Sequence, residues 1–325
     1  MHELTVLKND AGQRLDKFIT KTLKLPMSLL YKSIRLKKIK VNRHRAEASL
    51  ILCEGDTIQC FLSDDFFVNR AGDQSLANIH PDLDILYEDD HILLVNKGVG
   101  ISVHEDENGA TNTLITHIQA YLFQKGEYRP DEEQSFAPAL CNRIDRNTCG
   151  IVIAAKTAEA LRVMNEKIKA REIDKFYLCA VHGIPTPHEA TLTAYHIKDE
   201  ANNIVRIYDK DPPRGAKEIR TKYRVIATRA DTALLEIELL TGRTHQIRAH
   251  MAHIGHPLIG DGKYGVNKDD RKRGYKYQAL CSYRLRFSFR EDGEPTALDY
   301  LRGKEIRIPK DAIFFTKEFF TNEHK

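Results

Sequence analysis

The decapeptide CNRIDRNTCG, residues 141–150, places one carboxylate, Asp145, between two guanidinium groups, Arg143 and Arg146, and ends in a polar, glycine-closed loop. An opposite charge nearby keeps a carboxylate ionised, which makes it a poor general acid but a serviceable nucleophile or base. Only one acid is present, so the paired carboxylates of glycoside hydrolysis are not on offer. A salt-bridge anchor in an ordinary loop has the same composition, and the motif alone leaves both readings open.

Two other stretches could join it. LLTGRTHQIRAHMAHIGHPLIGD brings Arg243 to a strand-to-helix junction and Arg248 one turn into the helix. Ile247, Met251 and Ile254 take the core side at helical spacing, which leaves Arg248 on the flank, within reach of a loop acid. KFYLCAV reads as a strand with Tyr177, Cys179 and Val181 on one face. The two smaller neighbours would leave the tyrosine ring open to a flat partner, although a strand tyrosine is equally at home packed in a core. His245, His250, His253 and His256 crowd the same region but fit no H-E-x-x-H or C-x-x-C scheme. They read as backbone-fixing or phosphate-facing rings, and no metal is expected. The H-x-E and P-C-x-x-C pair of a zinc nucleobase deaminase is absent too.

These residues need elements to position them. LDILYEDDHILLVNKGVG reads as a hairpin turning near Glu88 to Asp90, its second strand entering the glycine-bearing loop 96–100. The Asp145 loop precedes a strand at 151–155. Thr157 then caps a helix carrying Leu161, Met164 and Ile168. A strand over 233–240 breaks at Thr241-Gly242 into the Arg248 helix, which Gly255 closes. AIFFTKEFF near the end suggests a docking helix through Ile313, Phe314, Thr316 and Phe320. Strands and helices mix without a regular βαβ beat, so an α+β fold with a mixed, largely antiparallel sheet is expected.

The first 62 residues read differently: helix, turn, helix, then strands. RLDKFITKTLKL repeats Leu15, Phe18, Ile19 and Leu23 at helical spacing, and Ser28 would cap the helix SLLYKSIRL. The strands KIKVN and EGDTIQCFL follow. The net charge of the chain is +4, yet residues 1–62 hold twelve lysines and arginines against six acids, so this segment is +6 and the rest −2. Lys32, Arg35, Lys37, Lys38, Lys40, Arg43 and Arg45 fall in one run. Such a run suits a polyanion, phosphates above all, or else a solvated helix face. Residues 63–82 are polar and periodless, as a linker would be, and leave 83–325 as the second domain. The 325 residues are 42% hydrophobic and 30% charged, with no unbroken apolar span and no signal-peptide pattern at MHELTVLKND. A cytoplasmic protein with no membrane partner is expected. Its six cysteines form no C-x-x-C pair and read as reduced thiols.

With these residues in view, the chain resembles two known families. Arg14-Leu15-Asp16-Lys17-Phe18, the basic helix, Val41-Asn42 and Gly55-Asp56-Thr57-Ile58 resemble the small RNA-binding domain named after ribosomal protein S-four. NRIDRNTCG, KFYLCAVHG, GRTHQIRAHMAHIGHPLIGDGKYG and VNKGVGISVH resemble the signature blocks of the RluA family of RNA pseudouridine synthases. That resemblance implies Asp145 as catalytic aspartate, Tyr177 stacked on uracil, Arg248 paired with Asp145, and Arg143 entering the RNA stack where the base has left. Arg243 joins Lys32, Arg35, Lys37, Lys38 and Arg43 as expected RNA contacts. The implied enzyme is an isomerase needing no cofactor, acting as a monomer on structured RNA, ribosomal in the first instance. The alternatives are the same chemistry on tRNA, or a non-catalytic RNA-binding or ribosome-assembly protein. Asn142, Cys149 and Cys281 replace the usual histidine, serine and histidine, and Gly98 a common proline, which loosens any transfer of target specificity.

Overall fold

The structure is a computed structural model that describes residues 1–67, 74–104 and 112–320. A four-stranded sheet holds β1 (His2–Thr5), β2 (Ile39–Val41), β3 (His44–Arg45) and β4 (Thr57–Cys60), ordered β1-β4-β2-β3 and antiparallel throughout. Against it pack α1 (Leu15–Leu23) and α2 (Met27–Arg35), in a core that holds Leu15, Phe18, Ile19, Leu30, Ile39 and Ile58. Each fully buried side chain of this kind contributes about 1.5–3 kcal/mol. The β2–β3 turn puts Asn42 and Arg43 at φ 50° and 68°, the two-residue hairpin geometry that asparagine tolerates, so Arg43 projects at an exposed tip. Ser28 is not the α2 cap: the helix begins at Met27, and Pro26, two residues before Ser28, holds the cap position.

The larger sheet has eleven strands: β5 (Ile85–Glu88), β6 (Ile92–Lys97), β7 (Ala139–Leu140), β8 (Cys149–Ala155), β9 (Ile173–His182), β10 (Glu189–Asp199), β11 (Ile204–Tyr208), β12 (Lys217–Arg229), β13 (Thr232–Leu239), β14 (Leu280–Phe287) and β15 (Glu305–Arg307). The order is β11-β10-β12-β13-β9-β14-β8-β6-β5, with β15 on β14 and β7 on β8. Every pairing is antiparallel except β8 with β14. The fold is therefore α+β with a mixed, mostly antiparallel sheet, as expected from the sequence.

Alternation along the central strands separates two apolar faces. Ile151, Ile153, Leu178 and Ala180 face one core with Met164 of α4 (Ala158–Lys169). Val152, Ala154, Tyr177, Cys179 and Val181 face the other, with Ile118 of α3 (Leu114–Gln124) and Ile247 and Met251 of α5 (Gln246–His253). The expected hairpin is β5–β6, and the Thr157 hydroxyl accepts from the Ala160 amide as the α4 cap. Within 63–82, short 3-10 turns occur at Asp64–Phe66 and Gln74–Asn78, and Leu76 is buried beside α3. The remaining helices are short: α6 (Lys268–Lys272) and α7 (Lys317–Phe320). The C-terminal docking helix is thus a correction, because Ile313 and Phe315 enter the core from irregular chain ahead of α7 while Phe314 stays exposed. Among the described residues no helix is long and apolar enough to cross a membrane.

The parallel β8–β14 contact is tight. Gly150 has φ +116°, and a Cβ there would lie 2.2 Å from the Ser282 carbonyl oxygen. Gly150→Ala should lower the unfolding free energy by about 3 kcal/mol or more, from overpacking and a conformation only glycine accepts. An unchanged urea midpoint would show that the strands do not approach so closely. A second prediction concerns His250, which is buried and bonded to Thr221 Oγ1 at 3.0 Å. Burial pushes its pKa down from 6.5 to about 4, with the charge of His253 adding and that of Asp209 opposing. Between those values the unfolded chain binds the extra proton, so this stability is complete above 6.5 and is lost as pH falls toward 4. The slope from this one ring is about 1.4 kcal/mol per pH unit. Urea titrations at stepped pH should show a shallower slope in His250→Gln than in the parent, and equal slopes would remove His250 from the account.

Candidate active site

Three elements converge on the face that carries Tyr177. The loop between β7 and β8 supplies Asp145, β9 supplies Tyr177, and α5, entered directly from β13, supplies Arg248. Strands β13, β9, β14 and β8 are consecutive neighbours, so the sheet brings together residues 103 positions apart in the chain. Arg248 Nη1 donates to Asp145 Oδ2 at 2.9 Å, while its Nε and Nη2 donate to Asp261 Oδ2 and Oδ1 at 2.7 and 2.8 Å. Asp261 is buried and also accepts from the Lys263 and Tyr264 amides. Burial would lower the Arg248 pKa, but the hydrogen bonds and charge of Asp261, joined by Asp145, outweigh it and raise it. For Asp261 burial likewise works against the charged form, and Arg248 reverses it, so this carboxyl titrates below its usual range. Arg248 is a fixed cation before any substrate arrives.

The Asp145 side chain is 26% exposed, and among the described residues only Arg248 and, at 3.9 Å, His245 lie within ion-pair distance. Its Oδ1 accepts no hydrogen bond from any described residue. The flanking Arg143 and Arg146, expected to hold the acid, do not: Arg143 is exposed at the cavity wall, and Arg146 Nε donates to the Gly100 carbonyl at 2.9 Å. Neighbouring side chains on a loop diverge, and the partner comes from another element. His245, in the left-handed region at φ 52°, shares a 2.9 Å hydrogen bond with the Tyr264 hydroxyl. Burial drives its pKa down to about 4 against the pull of Asp145, with Arg248 and Lys263 helping, so the ring is neutral near neutral pH.

Behind the loop stands Lys97, only 1% exposed. Its Nζ donates to the carbonyls of Gly98, Ile101 and Arg146 at 2.8, 3.0 and 2.9 Å, tying the glycine-bearing loop to the residue next to Asp145. Burial lowers its pKa to about 8, opposed by the charges of Cys149 and Asp145. Motif spacing gave no signal for this role, or for the second carboxylate at Asp261.

A cavity of about 630 Å³ opens over Asp145, within the range that small-molecule sites occupy. Tyr177, Ile247 and Leu280 give it apolar wall, and Arg143, Lys175, Arg243 and Arg248 give it charge. Tyr177 is 7% exposed rather than open, since it packs in the core that also holds Ile247 and Met251 of α5 while still lining the cavity, and burial pushes its phenol up to about 12. Lys175, not singled out from the sequence, has its pKa lowered by burial. Lys32, Arg35, Lys37, Lys38 and Arg43 are exposed on the N-terminal unit and line no part of this cavity. The four clustered histidines go to four different partners: Tyr264, Thr221, Asp209 and the His182 carbonyl. The arrangement can hold a flat ring against Tyr177 and present to it a charged oxygen whose twin is clamped.

Comparison with known proteins agrees with this geometry. The family described as RNA pseudouridylate synthase matches residues 91–253. A ribosomal large subunit pseudouridine synthase C of Vibrio vulnificus is 31% identical over 303 residues, 91% of each chain. An uncharacterised RNA pseudouridine synthase of Mycoplasma genitalium is 34% identical over 295 residues, 88% of this chain and 89% of that one. Among solved structures, human RNA pseudouridylate synthase domain containing 1 superposes with a TM-score of 0.55 at 21% identity, over 70% of this chain and 84% of that chain, which speaks to fold. A motif-by-motif resemblance, a full-length relationship and a shared fold lead to one assignment: this chain belongs to the RNA pseudouridine synthases, as an isomerase of the RluA type.

Proposed function

We propose that the chain isomerises uridine to pseudouridine in large-subunit ribosomal RNA, with Asp145 as the reacting carboxylate, Tyr177 as the ring under the uracil and Arg248 as the residue that holds Asp145 in place. The reaction breaks the bond from ribose to ring nitrogen 1, turns the base and rejoins the sugar to ring carbon 5. Nothing is oxidised, reduced or hydrolysed, so the atoms balance without a co-reactant. Attack on the sugar or ring, or removal of a ribose proton, would each begin from the free Oδ1. One observation carries the reading: Oδ2 is clamped by Arg248 at 2.9 Å while Oδ1, beside the cavity that Tyr177 walls, accepts no hydrogen bond from any described residue.

A base stacked in a helix is out of reach, so the target nucleotide has to flip, at a few kcal/mol. Stacking on Tyr177, and Arg143 filling the vacated place, would return part of this at about 1–3 kcal/mol per stacked base. The exposed Arg143 and Arg243 at the rim suit phosphates on the way in. The ribosomal target is supported by relatives such as the synthase C of Vibrio vulnificus. The N-terminal unit serves in this reading as the S-four-like RNA-binding module. Its Lys32, Arg35, Lys37, Lys38 and Arg43 are exposed and, among the described residues, form no ion pair.

Asp145→Asn keeps the shape of the side chain and removes its charge. It should abolish tritium release from large-subunit ribosomal RNA transcripts labelled at uracil carbon 5, with an unaltered melting profile. Release at the parental rate would end the catalytic assignment, and release by the parent from tRNA transcripts alone would move the substrate. For the module, replacing Lys37, Lys38 and Arg43 by alanine should weaken RNA binding. It should also lower the slope of log Kd against log salt by about 2–3, the share of three phosphate contacts. Affinity and slope equal to the parent would take these residues out of RNA recognition.

A further inference from the structure

A second cavity, of about 620 Å³, adjoins the first and shares Asp145, Arg146, His245 and Arg248 with it. Its own walls are Lys263 from the turn after α5, Arg271 from α6, and Lys276 and Tyr277 from the approach to β14. Five cationic side chains line it against one carboxylate, and Arg248 is already neutralised by Asp261 and Asp145. The others have no such compensation. Arg271 and Lys276 are exposed and form no ion pair with any described residue, and Lys263 donates to the Asn203 carbonyl at 2.7 Å.

The run Arg271-Lys272-Arg273 is divided by the structure. Lys272 pairs with Asp269 at 2.7 Å and Arg273 with Glu318 at 3.4 Å, which leaves Arg271 alone at the cavity. Like charges gathered on one wall repel each other, and a polyanion laid across them relieves the repulsion. The wall differs from its neighbour in apolar content as well. Its lining holds no buried aromatic or aliphatic side chain, whereas Tyr177, Ile247 and Leu280 give the cavity next door an apolar wall. Its aromatic residue, Tyr277, is 38% exposed and stands near Gly100 on the loop tied to Arg146.

We propose that this second cavity binds the phosphodiester strand flanking the target nucleotide, with Arg271, Lys276 and Lys263 on its phosphates and Tyr277 against a neighbouring base or ribose. Asp145 then stands where the two cavities meet: the flipped nucleoside enters the side walled by Tyr177, and the continuing backbone runs out over the cationic side. This assignment rests on the reading of the site as RNA-modifying, and makes the strand beside the target part of what is recognised.

The test uses the full chain, an in vitro transcript of large-subunit ribosomal RNA, and three proteins: the parent, the Arg271→Ala/Lys276→Ala double variant and Lys272→Ala. The double variant should bind more weakly and lose about 1.4 from the slope of log Kd against log salt, the share of two single-strand phosphate contacts. Its kcat/KM for pseudouridine formation should fall through KM, with kcat at saturating RNA retained. Lys272→Ala should match the parent. Parental affinity and salt slope in the double variant overturn the proposal, and so does an equal loss in Lys272→Ala, which would reduce the effect to general surface charge. Should the parent bind the transcript yet form no pseudouridine, the activity reading fails, and the slope difference still decides the cavity.

Discussion

The structure depends on a buried guanidinium shared unequally by two carboxylates. Removing an ion from water costs several kcal/mol, and a single contact at roughly 4 Å returns about 4 kcal/mol at the effective dielectric of a protein surface. One acid would leave Arg248 near break-even. Asp261 supplies two hydrogen bonds and is itself held by two backbone amides, so that half of the network stands without Asp145. Asp145 adds one bond from Nη1. Asp145 is thus the minor partner: held by one bond, with its second oxygen accepting none from any described residue.

That inequality needs a rigid frame, because Asp145 lies on a loop and Arg248 on a helix. Orientation of α5 follows from Ile247 and Met251 in the core against the sheet. The loop is set by Lys97, whose three carbonyl contacts fix the backbone at Arg146, and by the reciprocal bonds between Gly100 and Arg146. A buried amine is tolerated only because each of its donors is satisfied, and the same burial lowers its pKa toward 8. Positioning of the acid therefore comes from a lysine that never touches the cavity.

Local pattern made much of this legible. Periodicity marked the strands, Thr157 marked a cap, and the flank position of Arg248 pointed at a loop acid 103 residues away. What stayed hidden depends on contacts that no spacing encodes. Arg143 and Arg146 adjoin Asp145 in sequence but diverge in space, since successive loop side chains rarely converge on one point. Tyr177 was rightly set on a face with Cys179 and Val181, yet small neighbours on its own strand said nothing of the core it joins with Ile247 and Met251 of α5. Ile313 and Phe315 dock without a helix, because burial of a few large side chains fixes a segment whatever its backbone does.

The departures from the usual RluA pattern follow the same division between chemistry and support. Asn142 lines the cavity but spends its amide on β8, accepting from the Ile153 amide at 2.8 Å and donating to the Ile151 carbonyl at 3.4 Å. Cys149 and Cys281 are register partners across the parallel β8–β14 contact, one residue before the close approach of Gly150 to Ser282. At Gly98 a Cβ would meet nothing nearer than Ile101 Cδ1 at 3.8 Å, so contact with a side chain does not demand glycine there. Each altered position answers a question of packing or backbone satisfaction. Arg248 and Asp261 are held more strictly, because both are buried and removing either one would strand the charge of the other.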